Sequence, residues 1–382
     1  KLHVIAGDHV EVLKTLIERY GVDEVHVSQE YEPYGAARDL KVEASGIKLI
    51  RTGSIYAVAP GRVLKPSDAT PYRVYTPFYK AWCVHGWRKP VAAPKNLNLV
   101  TPSADDRNFV DWQVPEGCEI SKAGEAAALA RWKKFKSSAL ASYDTERNNA
   151  GVDGTSKMSE YLTWGEIHPR TLLAELGTSN AHDVYRKEIA WREFYADVLF
   201  HRPITAWENL QPKMNKLVHD TDKDAVARFE AWCNGKTGFP IVDAGIKQML
   251  ATGWMHNRVR MIVASFLVKD LHLPWQWGAK FFMQHLVDGD IASNNHGWQW
   301  CAGSGTDASP YYRVFNPTSQ GERFDPKGLY VRSWIPELCG LDDDAVHKPW
   351  TQGMLNPYIE PILDHAVERQ ISLDRYKAVS GK

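Results

Sequence analysis

Two hydrophobic periodicities divide the chain. Near the N-terminus, short or alternating apolar runs predict strands over residues 2–6, 24–28 and 47–50, separated by helical patterns over residues 10–20 and 34–44. Strand–helix–strand repeats of this kind form parallel sheets with right-handed crossovers. We therefore predict a Rossmann-like α/β domain. Because the sequence begins directly in a strand, we also expect that domain to lack its first strands.

From residue 124 onward, the apolar positions are spaced as in helices. The predicted helices cover residues 125–138, 159–175, 185–200, 225–234 and 243–271. Almost no alternating pattern interrupts them, so the larger part of the chain is predicted to be all-α. Pro, Asn and Asp are frequent before this part, which is typical of a linker. The predicted organisation is an α/β domain over residues 1–90, a linker over 91–123 and a helical domain over 124–382.

Composition narrows the class of protein. The 46 Lys and Arg residues balance 46 Asp and Glu residues, which excludes binding to nucleic acid or membrane by bulk charge alone. A local basic cluster at residues 131–136 is compatible with phosphate contacts or with a simple hydrated face. Five scattered cysteines without a CxxC pair indicate a reducing compartment, so we expect a cytoplasmic protein with no metal site. The central apolar run at residues 261–268 is too short to span a bilayer, so no membrane association is expected.

Two segments combine residue types that bind anions. The sequence Gly-Thr-Ser-Lys-Met-Ser at residues 154–159 precedes a predicted helix, where hydroxyls and free backbone amides can hold a pyrophosphate or simply cap the helix. On the helix predicted further along, Asn257, Arg260 and Met261 share one face, and Trp254, Arg258 and Met261 share another. Buried arginines need anionic partners. Asp288 and Asp290 are candidates, either in a structural ion-pair network or beside a ligand.

Several motifs in this order resemble one family. They are residues 154–159, Glu-Ile-Ala-Trp-Arg-Glu-Phe-Tyr at 188–195, Gly-Lys-Thr-Gly-Phe-Pro-Ile-Val-Asp at 235–243, Trp-Met-His-Asn-Arg at 254–258, Asp-Gly-Asp at 288–290, Asn-Asn-His-Gly-Trp-Gln-Trp at 294–300 and Tyr-Arg-Val-Phe-Asn-Pro at 312–317. The chain resembles the photolyase/cryptochrome flavoproteins from about residue 8 to 336, and is most similar to the class I photolyases of cyclobutane pyrimidine dimers. The resemblance implies an α/β N-terminal domain and an all-α FAD-binding domain.

The resemblance also assigns residues to the flavin. It places Tyr143, Thr155, Ser156, Lys157, Met158, Ser159 and Arg192 around the FAD phosphates and ribityl chain. Arg260, Asp288, Gly289 and Asp290 are implied beside the isoalloxazine, and Asn294 faces its reactive nitrogen. Trp298 and Trp275 match two members of the family's tryptophan chain for flavin photoreduction. The third member, expected near Asp222, is absent, and residues 208–231 contain no Trp.

For the substrate, the resemblance implies a pocket that receives a pyrimidine dimer flipped out of ultraviolet-damaged DNA. Its walls are Trp191 and Trp300, with Glu188, Asn257, Arg258 and Met261 around the lesion and Arg147 and Arg313 toward phosphates. Excited reduced anionic FAD would donate an electron that splits the cyclobutane ring, a carbon–carbon lyase reaction. The implied catalytic residues are Glu188, Asn257, Met261 and Asn294. A protonated Glu188 and Asn257 would stabilise charge on the dimer.

Differences from other members of the family at a few positions separate a repair enzyme from a photoreceptor, and a further difference concerns the antenna chromophore. Photolyases of the (6-4) lesion carry histidines where Asn257 and Met261 stand, and plant and insect cryptochromes usually carry Asp or Cys at the position of Asn294. A repair enzyme is therefore favoured over a cryptochrome-like photoreceptor, and both over an aromatic-rich binding protein without flavin. We also expect a monomer, because one such protein can cover one lesion. The segment at residues 31–35 lacks the Asn-Glu pair of folate-type members, so a second antenna chromophore of deazaflavin type, folate type or none stays open.

Overall fold

The computed structural model describes residues 3–101, 103, 113–306 and 312–381. Its N-terminal part alternates helix and strand: α1 (His9–Tyr20), β1 (Val25–Val27), α2 (Pro33–Ala44) and β2 (Leu49–Arg51). The two strands pair in parallel, with Val25 opposite Leu49. Of the strand predicted over residues 2–6, Leu2 lies outside the described residues, and Ile5 makes only a single bridge. The predicted α/β layer is thus a small parallel sheet with two helices.

Local signals explain the bounds of α1. Asp8 caps its first turn by accepting hydrogen bonds from the amides of Val10 and Glu11. Gly21, in the left-handed conformation at φ 61°, ends it. The helix then packs on α2 and the sheet through a small core that includes Val10, Val42 and Ile47.

After β2, the secondary-structure elements of the described residues are helices, apart from one isolated bridge between Leu64 and Pro71. The α-helices are α3 (Tyr75–His85), α4 (Glu125–Ser138), α5 (Tyr143–Glu146), α6 (Ser159–Thr163), α7 (Pro169–Ala174), α8 (Asn180–His201), α9 (Lys223–Cys233), α10 (Pro240–Thr252), α11 (Asn257–Ser265), α12 (Trp275–His285), α13 (Ile291–Ala302), α14 (Pro317–Phe324), α15 (Leu329–Trp334) and α16 (His365–Ser380). A π-helical turn, Phe266–Asp270, follows α11, and 3-10 turns occur at Leu140–Ser142, Pro203–Ala206, Pro212–Lys216, Pro336–Leu338 and Pro349–Leu355. None of the described helices is long and apolar enough to cross a membrane.

Helix α3 was not predicted, although its apolar residues have helical spacing. Tyr75, Phe78, Tyr79 and Trp82 recur at intervals of three and four positions. Phe78 and Trp82 are completely buried in one core with Trp132 and other residues of the helical part. Residues from the predicted α/β domain therefore share a core with helices beyond the predicted linker. The domain boundaries themselves stay a prediction.

The prediction of one helix over residues 243–271 was wrong. Gly253, at φ 65°, ends α10 in the left-handed conformation, and α11 begins only after His256 caps it. Trp254 lies in the connection, so it does not share a helix face with Arg258 and Met261 as expected. A second large core forms around this break, with Met255 completely buried in it.

The helix predicted over residues 159–175 is also two helices. The chain turns after α6 through Gly165, at φ 68°, and restarts at Pro169, where the His168 ring caps α7. Proline is favoured in the first turn of a helix because it has no amide hydrogen to donate there. The break leaves α6 with five residues beside the 154–159 segment.

Candidate flavin and DNA site

Helix α8 joins the two groups of predicted site residues. Glu188, Trp191 and Arg192 lie on consecutive turns of this 22-residue helix, which Ser179 caps. Arg192 lies 3.8 Å from Asp290, a predicted flavin residue, whereas Glu188 pairs with Arg147, a predicted lesion residue. One rigid helix therefore fixes the position of each group relative to the other.

Arg192 is anchored, but one of its donors has no partner. Its Nη1 donates to the carbonyl of Ile55 at 3.0 Å, its Nη2 donates to the carbonyl of Leu162 at 3.2 Å, and its guanidinium lies 4.6 Å from the Tyr56 ring centre. Its Nε is buried without a hydrogen-bond partner, 3.8 Å from Asp290 Oδ2. A buried unpaired donor is costly unless a ligand accepts from it.

A second orphaned atom belongs to the predicted pair beside the isoalloxazine. Arg260 donates from Nη2 to Asp288 Oδ2 at 2.7 Å and from Nε to the carbonyl of Met255 at 2.8 Å. The other carboxylate oxygen of Asp288 is buried without a partner. Asp290, after Gly289, caps α13 by accepting from the amide of Ser293 at 3.0 Å. The expected acid–arginine pairing is therefore present, and it leaves an acceptor available to a ligand.

The 154–159 segment contacts helix α8 through Ser156. Ser156 accepts a hydrogen bond from the Tyr185 hydroxyl at 3.0 Å, and Tyr143 packs edge-on against Tyr185 at 5.1 Å. Met158 is buried, whereas Thr155, Lys157 and Ser159 are half-buried. Lys157 has a left-handed backbone, φ 51°, and its Nζ lies 5.1 Å from the Trp254 ring centre. Because α6 is so short, an anion here depends on loop groups more than on a helix dipole.

Two further contacts connect α6 and α13 to the same region. Thr163, at the end of α6, donates to the carbonyl of Asp288 at 3.3 Å. Asn294, half-buried on α13, donates to the carbonyl of Ala279 at 3.0 Å and to Asn295 Oδ1 at 2.9 Å. The predicted flavin residues thus come together around α6, α8 and the start of α13. Their hydroxyls, cations and orphaned atoms fit FAD, which carries both phosphates and a hydrogen-bonding ring.

The lesion residues on α8 have charged partners. Arg147 donates from Nη2 to Glu188 Oε1 at 2.8 Å, and its guanidinium lies 5.6 Å from the Tyr143 ring centre. Burial raises the pKa of Glu188, and the neighbouring guanidinium of Arg147 opposes that shift. From the sequence we expected Glu188 to be protonated and Arg147 to face phosphates. In the structure, these two side chains pair with each other.

Helix α11 contributes the other polar residues. Arg258 donates to Asn148 Oδ1 at 2.8 and 3.2 Å, and its guanidinium stacks 4.3 Å from the Phe324 ring centre. Burial lowers the pKa of Arg258, and the nearby charge of Arg147 adds to this shift. Asn257 is exposed in the first turn of the helix. Arg147 and Arg258 thus both lie close enough to Glu188 for their charges to act on its carboxyl.

The apolar residues of the predicted lesion pocket pack against different parts of the protein. Trp191 is half-buried and lies flat on Tyr75, with ring centres 3.6 Å apart and planes 7° apart. Met261 and Trp300 are both half-buried against the large C-terminal core, and the Cys301 thiol donates to the carbonyl of Met261. Tyr75 was missed because α3 was missed, although the spacing of its apolar residues was visible.

Arg313 and the two tryptophans predicted to reduce the flavin belong to neither of the two groups of residues described above. Arg313 is exposed beside residues 307–311, which lie outside the described residues, and its carbonyl accepts from Lys269 Nζ. Trp298 and Trp275 are buried on α13 and α12. Within the described ranges, no group of three or more His, Cys, Asp or Glu side chains could hold a metal ion.

Comparison with known proteins identifies the family. A family model described as DNA photolyase matches residues 1–95, and one described as the FAD binding domain of DNA photolyase matches residues 185–378. The chain is 37% identical to the deoxyribodipyrimidine photo-lyase of Escherichia coli, with 97% of this chain and 81% of that protein covered. It is also 37% identical to the enzyme of that name from Agrobacterium fabrum, with 99% and 84% covered.

Solved structures agree with this result. A class III photolyase from Agrobacterium tumefaciens matches with a TM-score of 0.84 and 35% identity, covering 100% of this chain and 84% of that one. A Synechocystis cryptochrome matches with a TM-score of 0.82 and 25% identity, covering 98% and 83%. The fold and site define a flavoprotein with an α/β part and a helical FAD-binding part. The chain belongs to the DNA photolyase family, and its cofactor is FAD.

Proposed function

We propose that this protein is a deoxyribodipyrimidine photo-lyase that uses light to split cyclobutane pyrimidine dimers in DNA. The observation that carries the proposal is the continuity along α8: Glu188, Trp191 and Arg192 share one face of the helix, where Glu188 pairs with Arg147 and Arg192 lies beside Asp290. The names of the related enzymes support the same activity.

The chemistry divides between the cofactor and the chain. When bound in its reduced anionic form, FAD would supply the light-driven electron-transfer chemistry of this reaction. Arg192, Arg260 and Asp288 would hold it, with the unpartnered Nε of Arg192 free to donate a hydrogen bond to it and the unpartnered Oδ1 of Asp288 free to accept one. Asn294 lies on the first turn of α13, where its amide is already oriented by the carbonyl of Ala279.

Selection of the damaged base relies on aromatic surfaces. A pyrimidine dimer stacks and pairs poorly, so extruding it costs less than extruding a normal base. Trp191 cannot rotate freely because Tyr75 covers one face, and its free surface is therefore preorganised to pack on the dimer. Trp300 and Met261 form the opposite apolar wall in this proposal.

We expect the ion pair between Arg147 and Glu188 to be disrupted when DNA binds. A phosphate near Arg147 would compete with Glu188 for the guanidinium, because both acceptors are anionic. Burial already raises the pKa of Glu188, so release from Arg147 would favour its protonated form. The protonated carboxyl would then donate a hydrogen bond to the charge that develops on the dimer, together with Asn257. Arg258 and Arg313 would position the strand without reading its sequence.

A cryptochrome-like photoreceptor is the second candidate, since a cryptochrome shares the fold at a TM-score of 0.82. Asn294 and the charged pocket at α8 favour repair. A structural neighbour from Sulfolobus tokodaii contains two FAD molecules, which its description relates to a light-harvesting cofactor, so FAD joins deazaflavin and folate as antenna candidates. We propose action as a monomer, in the cytoplasm with the DNA.

Repair of an oligonucleotide containing one thymine dimer tests the proposal. Chemically reduced, flavin-loaded protein should restore thymine absorbance under blue light and not in darkness. Trp191→Ala should lower affinity for the damaged strand, whereas the control Trp207→Ala, at a tryptophan that is 60% exposed, should not. Light-independent behaviour, or no repair by reduced loaded protein, would overturn the assignment.

A further inference from the structure

Two arginines of the predicted lesion site are held by partners of different charge. Arg147 forms an ion pair with the carboxylate of Glu188, so a phosphate must compete for its guanidinium. Arg258 instead donates from Nε and Nη2 to the amide oxygen of Asn148, at 3.2 and 2.8 Å, and forms no ion pair within the described ranges. A neutral amide orients a guanidinium without cancelling its charge.

The surroundings of Asn148 make this arrangement rigid. One face of the guanidinium lies over the Phe324 ring, 4.3 Å from the ring centre. The amide of Ala150 donates to the carbonyl of Phe324 at 2.9 Å, so the loop that carries Asn148 is bonded to the end of α14. Gly151 permits this approach, since a Cβ there would lie 2.8 Å from Asp325 Oδ1. The guanidinium therefore loses little freedom when an anion binds to it.

The charge around Arg258 is predominantly positive. The guanidinium of Arg323 lies 5.1 Å from the centre of the same Phe324 ring. Arg147 and Arg323 both repel the charge of Arg258 and, together with burial, lower its pKa. The carboxylate of Glu188 attracts it, but that carboxylate already accepts from Arg147. An added anion is therefore favoured at this position.

We propose that Asn148 is a positioning residue that holds Arg258 ready for a DNA phosphate and leaves its positive charge uncancelled. The inference rests on the proposed function, because that function brings a DNA strand to this pocket. Asn148 occupies the Nε and Nη2 donors, whereas Nη1 has no hydrogen-bond partner in the described part of the chain. Nη1 is thus the donor left for a phosphate oxygen. Arg258 binds the strand without giving up a partner, whereas Arg147 must first leave Glu188.

Asn148→Asp separates this role from a purely structural one. The substitution keeps nearly the same side-chain shape, and the carboxylate accepts the same two hydrogen bonds more strongly because both partners are charged. If Asn148 only stabilised the loop, the variant would bind DNA as well as the wild type or better. In the proposed role, binding is weaker, because the carboxylate cancels the charge of Arg258 and repels the phosphate.

The dependence of DNA binding on salt tests the proposal. Flavin-loaded protein is titrated against a single-stranded oligonucleotide at several KCl concentrations, with fluorescence anisotropy as the readout. Asn148→Asp should lower the affinity by about tenfold, the loss of one charge-assisted hydrogen bond. The slope of log K against log salt should become shallower by about 0.7, the value for one phosphate contact on a single strand. Asn148→Ala keeps the charge of Arg258 and should leave the slope unchanged.

Asn149→Asp is the matched control. It adds the same charge one residue further along the loop, where the Asn149 side chain accepts from the Gly151 amide at 3.1 Å rather than from a guanidinium. Its slope should stay close to that of the wild type. Equal changes of slope in the two aspartate variants would reduce the effect to general repulsion and overturn the proposal. Visible absorption of the bound flavin shows that each variant is folded.

Oligonucleotides with and without a thymine dimer separate this proposal from the proposed function. A phosphate contact is present in both, so Asn148→Asp should lower the two affinities by the same factor. A wild-type protein that binds both strands equally would count against repair, and the slopes would still judge Asn148. A wild-type slope in Asn148→Asp, or a loss confined to the damaged strand, would overturn the role of Asn148 in phosphate binding.

Discussion

At the scale of single residues, the geometry of Trp191 depends on a side chain from a different part of the chain. Tyr75 lies flat against the indole and donates its hydroxyl proton to the carbonyl of Lys187 at 2.7 Å. Phe194 packs edge-on against both rings, at 5.8 Å from Tyr75 and 5.7 Å from Trp191. Tyr75 is therefore a positioning residue for the proposed lesion wall.

Replacing Tyr75 tests that role. Tyr75→Leu should weaken binding to a dimer-containing oligonucleotide by roughly tenfold, the upper range expected from losing one aromatic pair. Tyr75→Phe should restore it, because the ring remains. Affinity for damaged and undamaged strands, measured by fluorescence anisotropy, separates this role from general loosening. Tyr79→Leu is the matched control: Tyr79 stacks on Tyr75 at 6.0 Å and, among the described residues, forms no ring pair with Trp191. Equal losses in both leucine variants would contradict the assignment.

At the scale of elements, the start of α11 combines a helix cap with the site. The ring of His256 accepts a hydrogen bond from the Arg258 amide at 3.1 Å. Burial, with further repulsion from Arg258 and Arg260, lowers the pKa of His256 to about 4. The imidazole must stay neutral to accept this bond, so the cap depends on pH.

This dependence has a definite sign. Between its ordinary pKa of 6.5 and about 4, His256 binds fewer protons in the folded protein than in the unfolded chain. Stability present above pH 6.5 is therefore lost as the pH falls through that window, by about 2 kcal/mol at pH 5. His256→Asn keeps a side chain that caps helices but does not titrate. Urea unfolding at pH 7.5 and 5 should show a smaller loss in the variant; parallel losses would refute the explanation.

The 235–243 motif shows what element-scale patterns can predict. Asp243 accepts hydrogen bonds from the amides of Thr237 and Gly238 and from the hydroxyls of Thr237 and Tyr358. Gly238 has φ 80°, and a Cβ there would lie 2.3 Å from the carbonyl oxygen of Glu360. The motif locks the entry of α10 against the C-terminal segment. The resemblance located it, but its structural role depends on a segment more than a hundred residues away.

At the scale of the whole molecule, α8 is held to the N-terminal part by buried carboxylates. Glu193 accepts from the amides of Ala57 and Val58 and from the Trp82 indole. Burial raises the pKa of Glu193 to about 7. One turn further, Asp197 accepts from the amide of Gly61 at 2.7 Å. These bonds fix residues 57–61 and α3 on the helix that carries both halves of the site.

Replacing one of these buried carboxylates by an amide should therefore lower the stability of the whole folded protein. Glu193→Gln places an amide hydrogen against a buried donor and should lower the free energy of unfolding by roughly 3 kcal/mol. Asp197→Asn, which keeps an oxygen to accept from the Gly61 amide, should cost roughly 1 kcal/mol. Thermal melts followed together with flavin fluorescence report both stability and cofactor release. A Glu193→Gln variant as stable as Asp197→Asn would show that Glu193 is not the main connection.

The sequence by itself determined the helical character of the larger part, the bounds of α4, and the motifs that identify an FAD-binding photolyase, because periodicity and local residue order are written along the chain. Only the tertiary structure decided the rest. It paired Arg147 with Glu188, covered Trp191 with Tyr75 and placed Trp232 beside Trp298. The physical reason is the same in each case: these arrangements depend on contacts between residues far apart in sequence, and no local pattern encodes such contacts.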